Sequence, residues 1–217
     1  MKGDVILLQE KHTIAGRAIV ESIRDQIISS SSRFIITVAG ESGSGKSETA
    51  LAISNELANI GIKSIILGQD DYFFLPPKLN SAKRKADPDW LGPHMEVNFE
   101  ALEQNLMDAL ENKAFITKPL IDYNANSVES QTISLDNIQV LIAEGTYTSL
   151  LKHVNTKIFI SRDWKKTLED RRKRNRGNEV NDPFTEQILA TEHKIIAGHK
   201  QLADFVINDD FNVTKVK

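Results

Sequence analysis

Short apolar runs alternate with stretches of helical periodicity along this chain of 217 residues. The runs are only a few residues long and rich in β-branched side chains, which is typical of buried parallel strands joined by crossover helices. We predict five such strands, at Phe34–Ala39, Ser64–Leu67, Val140–Ala143, Lys157–Ile160 and Phe205–Ile207. The pattern therefore favours an α/β design.

Helical patterns fill the spaces between these strands. Asn98 is a candidate N-cap, and the apolar positions after it recur every three or four residues, at Phe99, Leu102, Leu106 and Leu110. Further helices are predicted over Glu48–Leu57, from Trp164 to about Arg174 and from about Pro183 to His199. Between Tyr72 and Val97 the chain has several prolines and little periodicity, so we expect a long irregular excursion of the kind that often builds substrate pockets.

The first 33 residues form a candidate extension to a single domain. A strand is predicted around Val5–Leu8 and a helix around Ala15–Ile28, followed by the flexible run Ser29–Ser32. No Pro/Gly/Ser-rich linker divides the remainder. We therefore expect one domain over residues 1–217, with its core at 34–210.

Composition limits the partners. The formal net charge of −3 is near balance, which favours a small-molecule partner over nucleic acid or anionic lipid. The chain has no cysteine, which excludes a disulfide framework and is compatible with a reducing cytoplasm. The N-terminal apolar patch is too short for a signal core, and no stretch reaches membrane-spanning length. We expect a cytoplasmic protein with no membrane or nucleic-acid partner. Assembly into a homo-oligomer is compatible with the sequence.

One motif indicates the chemistry. Residues 40–47 read Gly-Glu-Ser-Gly-Ser-Gly-Lys-Ser, which matches the phosphate-binding pattern G-x-x-x-x-G-K-[ST] between a predicted strand and a predicted helix. Gly40, Gly43 and Gly45 allow backbone amides to turn toward phosphate oxygens. Lys46 can reach the β- and γ-phosphates, and the Ser47 hydroxyl can coordinate a bridging Mg²⁺. The remaining predicted nucleotide-binding residues belong to the same loop and helix start: Glu41, Ser42, Ser44 and Glu48.

The alternative is a Gly/Ser-rich turn that binds nothing. Strand, glycines, Lys-Ser and helix all stand in order, so the sequence favours a nucleoside triphosphate as the ligand.

Acidic residues follow two of the predicted strands. Asp70 and Asp71 come directly after Ser64–Leu67, at the carboxyl end where open α/β sheets bind ligands. A carboxylate there can accept the proton of an attacking hydroxyl, and its alternative role is to cap a turn. Glu144 ends the strand Val140–Ala143 beside the nucleotide and could hold Mg²⁺ directly or through water; a strand-end acid with no role is the alternative.

A basic run covers Arg171 to Gly177, where a helix ends. Arginines in a hinged lid could close over the triphosphate, exclude water and stabilise charge in the transition state. Most charge runs are solvated faces, and a nucleic-acid patch is a further alternative. The phosphate loop favours the lid, which we place around residues 171–180.

Taken in order, these motifs resemble the uridine kinase branch of the phosphate-loop kinases, related to phosphoribulokinase and bacterial pantothenate kinase. The resemblance covers roughly Phe34 to Ile207. Gln69-Asp70-Asp71-Tyr72-Phe73 is similar to the family's Gln-Asp-x-Phe-Tyr, which implies that Asp70 is the general base. The segment Leu141-Ile142-Ala143-Glu144-Gly145 is similar to the family's apolar-Glu-Gly strand end, which implies a metal role for Glu144.

The resemblance also covers the lid and the last strand. Phe159 through Arg176 is similar to the family's strand, helix and arginine lid, and Ala203–Ile207 to its closing strand. It implies a three-layer P-loop NTPase fold, with a mostly parallel five-stranded sheet and helices on both faces. ATP and Mg²⁺ are the implied cofactors.

On the acceptor side we expect contacts from Asp89, Tyr72, Asp122 and Arg171, and we expect catalytic help from Lys46, Arg172 and Arg174. Asp89 is the nearest equivalent of an Asp that precedes His-Pro in the family. Ile121 stands where the family has a Tyr, and Asn124-Ala125-Asn126 follows where the family has a base-contacting His.

The sequence thus predicts ATP-dependent phosphorylation of a hydroxyl on a small acceptor, with a nucleoside such as uridine first. A kinase for a sugar phosphate, pantothenate or glycerate is the next candidate. A nucleotide-dependent switch is a third, although Asn112-Lys113 is followed by Ala114 and lacks the Asp that reads guanine in a GTPase.

Overall fold

The computed structural model describes residues 2, 6–174 and 182–217. These residues build one large sheet, helices on both of its faces and a separate hairpin. The helices are α1 (Glu10–Ser29), α2 (Lys46–Asn59), α3 (Pro77–Ala86), α4 (Phe99–Leu110), α5 (Leu168–Arg174) and α6 (Pro183–Ile196). The strands are β1 (Phe34–Gly40), β2 (Ser64–Gly68), β3 (Phe115–Asp122), β4 (Ser127–Ser134), β5 (Val140–Gly145), β6 (Thr156–Ile160), β7 (Phe205–Ile207) and β8 (Val213–Lys215).

The large sheet has the strand order β2-β5-β1-β6-β7-β8. Its first five strands are parallel and coincide with the five predicted strands, so the predicted fold class is confirmed. β8 adds an antiparallel edge that the sequence did not predict. Its three residues are exposed or only half-buried, so it lacks the apolar run by which the other strands were found.

Two apolar clusters lie on opposite faces of this sheet. Because side chains alternate along a strand, Ile36 and Val38 of β1 pack with α1 and α2, whereas Ile35 packs with α4 on the other face. The Asn98 side chain caps α4, as predicted, by accepting a hydrogen bond from the Ala101 amide at 3.0 Å. The three layers hold the strand ends in fixed register.

The excursion between Tyr72 and Val97 is more regular than predicted. It contains α3 and a short 3₁₀ turn at Pro88–Trp90. Pro77 occupies the first turn of α3. The missing N–H of a proline costs no hydrogen bond there, because the first amides of a helix have no partner within it. Most residues of α3 are polar, so no apolar stripe indicated a helix.

The N-terminal extension is mostly helical and packs on the rest of the domain. α1 begins five residues earlier than predicted, and Gly16 lies so close to α2 that an added Cβ would stand 2.9 Å from Ala52. The strand predicted around Val5–Leu8 is wrong for residues 6–8, which are irregular, and Val5 lies outside the described residues.

The antiparallel pair β3 and β4 was also not predicted. Most β4 side chains are exposed, so this strand has no apolar alternation to reveal it. No helix in the described part of the chain is long and apolar enough to cross a membrane.

Candidate active site

The phosphate motif forms the turn between β1 and α2, as predicted. Gly45 has a φ of 100°, a left-handed conformation that favours glycine, and it is the residue directly before α2. A Cβ added to Gly40 would lie 2.8 Å from Ser44 Oγ and 2.9 Å from the Ile160 carbonyl oxygen. The backbone therefore curls tightly beneath the first turn of α2, whose amides have no partner within the helix and are suited to an anion.

Lys46 and Glu41 are in contact across the phosphate loop. Lys46 Nζ donates to the main-chain oxygen of Glu41 at 2.9 Å. The Glu41 carboxylate accepts a hydrogen bond from the Trp164 amide at 2.6 Å and contacts His193 Nδ1 at 2.7 Å. Glu41 therefore joins the phosphate loop to the segment before α5 and to α6.

Other loop residues are held from outside in the same way. The Thr167 hydroxyl donates to the Ser42 carbonyl at 2.9 Å, and the Arg162 guanidinium donates to the Ser44 carbonyl at 3.3 Å. Glu48 is buried, and its charge acts on His12 of α1. These contacts fix the shape of the loop.

Ser47 and Glu144 meet at the predicted metal position. Ser47 Oγ donates to Glu144 Oε2 at 3.3 Å. Glu144 ends β5 between β1 and β2, in register with Val38 and Gly68. The pKa of Glu144 is raised to about 7, mainly by burial and also by the negative charge of Asp70, while Lys46 opposes this change.

A hydroxyl and a carboxylate are oxygen ligands that suit Mg²⁺, which in kinase sites usually keeps several waters and binds substrate phosphates. The described residues contain no cluster of three or more His, Cys, Asp or Glu side chains that could hold a metal ion alone. The pair therefore fits a magnesium ion that arrives with a nucleotide.

The two neighbouring acids after β2 have different surroundings. Asp70 is half-buried and lines a large cleft. Asp71 is buried, accepts a hydrogen bond from Lys118 Nζ at 2.5 Å and accepts another from the Ile121 amide at 3.0 Å. Asp71 thus attaches the hairpin to the sheet, whereas Asp70 is available to a ligand.

The cleft has a volume of about 640 Å³, which suits a small organic molecule. It extends from the phosphate loop, through Ser42, to α3, β3 and α6. Its polar lining includes Asp70, Asn80, Arg84, Arg171 and Glu192, and its apolar and aromatic lining includes Phe73, Ile121, Tyr123, Phe184 and Leu189. The carboxylate of Asp70 and the phosphate-loop residue Ser42 therefore share one cavity.

Three predicted acceptor residues are not part of the cleft lining in this conformation. Tyr72 is fully buried, and its hydroxyl donates to Asn105 at 2.8 Å. Asp89 is exposed on the 3₁₀ turn. Asp122 accepts a hydrogen bond from the Ala125 amide at 2.8 Å and forms an ion pair with Lys2 at 2.9 Å. The backbone hydrogen bond, and then Lys2, lower the pKa of Asp122.

Sequence reasoning missed most of the residues that do line the cleft. Asn80 and Arg84 lie on α3, in the segment for which the sequence predicted no regular structure. Glu192 could have been found from the sequence, because it lies on the same helical face as Leu189 and Ile196, where an acid interrupts an apolar stripe. Such an acid in a buried stripe requires an explanation.

The predicted lid arginines also differ in their positions. Arg171 is buried in the cleft wall and donates to the Trp164 carbonyl at 3.0 Å. Arg172 is exposed and pairs with Glu169 at 3.1 Å. The Arg174 side chain and residues 175–180 of the predicted lid lie outside the described residues. The described part of the lid thus brings Arg171 to the cleft.

Comparison with known proteins identifies relatives of this chain. The chain is 27% identical over 192 residues to the bifunctional alpha-galactosidase/sucrose kinase AgaSK of Mediterraneibacter gnavus, covering 83% of this chain but only 20% of that protein. It is 27% identical over 184 residues to the uridine kinase of Staphylococcus carnosus, covering 80% and 86% of the two chains.

The fold also matches a solved structure, that of a putative fructose transport system kinase from a Silicibacter species. The TM-score is 0.63 at 16% identity, over 86% of this chain and 93% of that chain. The family model for phosphoribulokinase and uridine kinase matches residues 35–210. The chain therefore belongs to the phosphoribulokinase/uridine kinase family.

Proposed function

We propose that this chain transfers the γ-phosphoryl group of ATP to a hydroxyl of a small, sugar-containing acceptor, with a nucleoside such as uridine as the first candidate. The observation that carries the proposal is the shared cavity, in which Asp70 and the phosphate-loop residue Ser42 line the same cleft. An acceptor in that cleft can place a hydroxyl between the carboxylate and the nucleotide tail.

Asp70 acts as the general base in this proposal. Its carboxylate accepts the proton of the acceptor hydroxyl, the oxygen forms a bond to the γ-phosphorus, and the bond to the leaving ADP breaks. Asp70 is held for this task because Asp71 beside it is anchored to Lys118. Proton removal and orientation of the acceptor would thus come from one side chain.

The phosphate loop and its neighbours bind the triphosphate. The loop amides and Lys46 contact its oxygens, and Arg171 stabilises the charge that develops during transfer. Ser47 and Glu144 would hold a magnesium ion, which when bound neutralises phosphate charge. Lys46 must exchange its bond to the Glu41 carbonyl for the phosphates, a small rotation of a flexible side chain.

Apolar groups keep water from competing with the acceptor. Phe73, Phe184 and Leu189 line the cleft, and Lys85 Nζ lies 4.9 Å from the centre of the Phe184 ring. Closure over such a surface excludes the water that would otherwise hydrolyse ATP. This arrangement supports a transferase over a nucleotide-dependent switch.

A free sugar is the second candidate acceptor. Ile121, an apolar residue, lines the cleft where a kinase specific for one base needs polar groups to discriminate. The AgaSK relative supports this candidate, because its name includes a sucrose kinase activity. The matched segment is 20% of that protein and 83% of this chain.

The test is binding and turnover of the purified chain. Calorimetry with ATP and MgCl₂ should show uptake of one nucleotide, and a coupled assay should detect ADP in the presence of uridine, sucrose or fructose. Absence of ATP uptake would refute the kinase proposal. ATP hydrolysis that ignores every acceptor and rises with a protein partner would favour the switch.

A further inference from the structure

Glu192 is an acid placed deep in the cleft by an otherwise apolar helix face. Leu189 and Ile196 of the same face are buried, and Glu192 itself is 8% exposed. It lines the cleft together with Asp70, which the proposed function uses as the base. The proposed function gives Glu192 no role.

The nearby arginine already has a partner of its own. Arg84 Nε donates to Glu96 Oε2 at 2.7 Å, whereas its terminal nitrogen Nη2 lies 3.8 Å from Glu192 Oε1. Glu96 is fully buried and also accepts hydrogen bonds from Asn80 Nδ2 and the Gly92 amide, both at 3.2 Å. Glu96 therefore balances the charge of Arg84.

Glu192 is left without a hydrogen-bond donor among the described residues, and its distant contact with Arg84 is its one ion pair there. A carboxylate is costly to bury unless donors satisfy its oxygens. The pKa of Glu192 is raised to about 7, mainly by burial; Arg84 and Lys46 oppose this change, and the charges of Glu96 and Asp70 contribute to it. A bound molecule with hydroxyl groups could supply the missing donors.

Tyr147 is a second unsatisfied group near this end of the cleft. Its hydroxyl is buried and has no hydrogen-bond partner among the described residues. Burial raises the pKa of Tyr147, and the charges of Glu192 and Glu96 raise it further. Unpaired polar groups of this kind commonly mark the place of a bound water or ligand.

The charge of the deep end disfavours an anion. Glu192 and Asp70 are both acidic, and Arg84 is balanced by Glu96. The lysines of the cleft lining, Lys78 and Lys85, are exposed at its rim. Arg171 belongs to the nucleotide end, where it contacts Trp164 beside the phosphate loop.

We propose that Glu192 is an acceptor-binding residue, which accepts a hydrogen bond from an acceptor hydroxyl and selects neutral, polyhydroxylated molecules over carboxylates and phosphates. The proposal rests on the proposed function and narrows its acceptor class. Within that class, a nucleoside and a free sugar both qualify, whereas glycerate, pantothenate and sugar phosphates do not.

The first test compares acceptors that differ only by a negative group. Purified protein is assayed for ADP formation with fructose against fructose 6-phosphate, with glycerol against D-glycerate, and with uridine and sucrose. We expect turnover with neutral members and at least about tenfold lower kcat/KM with their charged counterparts, because the carboxylates of Glu192 and Asp70 repel an added negative charge. Preferred turnover of a charged member overturns this inference but leaves the kinase proposal intact.

The second test is Glu192→Gln with the best neutral acceptor. The acceptor KM should rise about ten- to a hundredfold, the scale of a lost hydrogen bond to a charged group, while the KM for ATP changes little. Glu186→Gln, an exposed acid on the same helix, is the matched control and should leave both constants unchanged. Thermal melting verifies that both variants fold.

An unchanged acceptor KM in folded Glu192→Gln would overturn the assignment, as would a change confined to the KM for ATP. Failure of the wild-type protein to bind ATP at all would instead refute the proposed function.

Discussion

The Asp71 carboxylate accepts a hydrogen bond from Lys118 Nζ at 2.5 Å, and both side chains are about 4% exposed. This buried pair joins the short 3₁₀ turn after β2 to the hairpin strand β3, 47 positions later in the chain. Asp70, one residue earlier, is half-buried and lines the cleft. Two adjacent acids thus divide anchoring from chemistry, and the two roles can be separated by mutation.

Loss of the buried pair should lower stability. Asp71→Asn or Lys118→Met leaves one buried partner uncompensated, so each should reduce the free energy of unfolding by about 3 to 5 kcal/mol. The double variant should lose less than the sum, because no unpaired charge remains. Urea unfolding at one pH measures all three. Strictly additive losses would show that the two residues do not act as a pair.

Asp70→Asn should have the opposite profile. Turnover should fall by about two to four orders of magnitude, the usual scale for a positioned base, because an amide cannot take the hydroxyl proton. The affinity for ATP and the free energy of unfolding should stay near those of the wild-type protein. Near-normal turnover in this variant would remove Asp70 from the mechanism.

Removal of either oxygen ligand should weaken the use of magnesium. Ser47→Ala and Glu144→Gln should each raise the Mg²⁺ concentration for half-maximal turnover by about tenfold or more. Ser54→Ala is a suitable control, because Ser54 lies on the same helix but bonds to Ser64 at 2.8 Å, away from the phosphate loop. A magnesium titration of ADP formation at saturating ATP provides the measurement. Equal half-saturation in all variants would exclude this pair as ligands.

Two neighbouring arginines provide a further contrast. Arg171 is 2% exposed in the cleft wall, whereas Arg172 is exposed and paired with Glu169. Arg171→Gln should lower kcat by about two to three orders of magnitude, the scale for loss of one transition-state donor. Arg172→Gln should have a much smaller effect, because Arg172 is not part of the cleft lining and pairs with Glu169. Because Arg171 is buried, melting curves must accompany the kinetics, and a larger loss for Arg172→Gln would reverse the assignment.

Sequence alone was sufficient where the signal is local. The phosphate loop is contiguous, its strand and helix flank it directly, and the cap at Asn98 lies three residues from its donor Ala101. These features depend on neighbours along the chain, so pattern and propensity determine them. The Ser47 contact to Glu144 was also foreseeable, because Glu144 lies near the carboxyl end of β5 and Ser47 lies in the first turn of the helix that follows the adjacent parallel strand β1.

The acceptor side was not foreseeable in the same way. Its wall is formed by α3, the hairpin and α6. These segments are far apart along the chain, so sequence patterns do not show that they meet. Tyr72 illustrates the limit, because this residue, two positions after the proposed base Asp70, turns into the core and donates a hydrogen bond to Asn105. Only the folded chain shows which residues of this turn face the cleft.

The buried imidazole of His12 should make stability depend on pH. Burial lowers the pKa of His12 from 6.5 to about 4, and its Nδ1 accepts a hydrogen bond from the Gln9 amide at 3.0 Å. Between these pH values the unfolded chain binds a proton at His12 and the folded chain does not, so stability present above pH 6.5 is lost as the pH falls toward 4. In urea unfolding across this range, His12→Asn should reduce the loss and the exposed control His153→Asn should not. The same acid dependence in both variants would assign it to other groups.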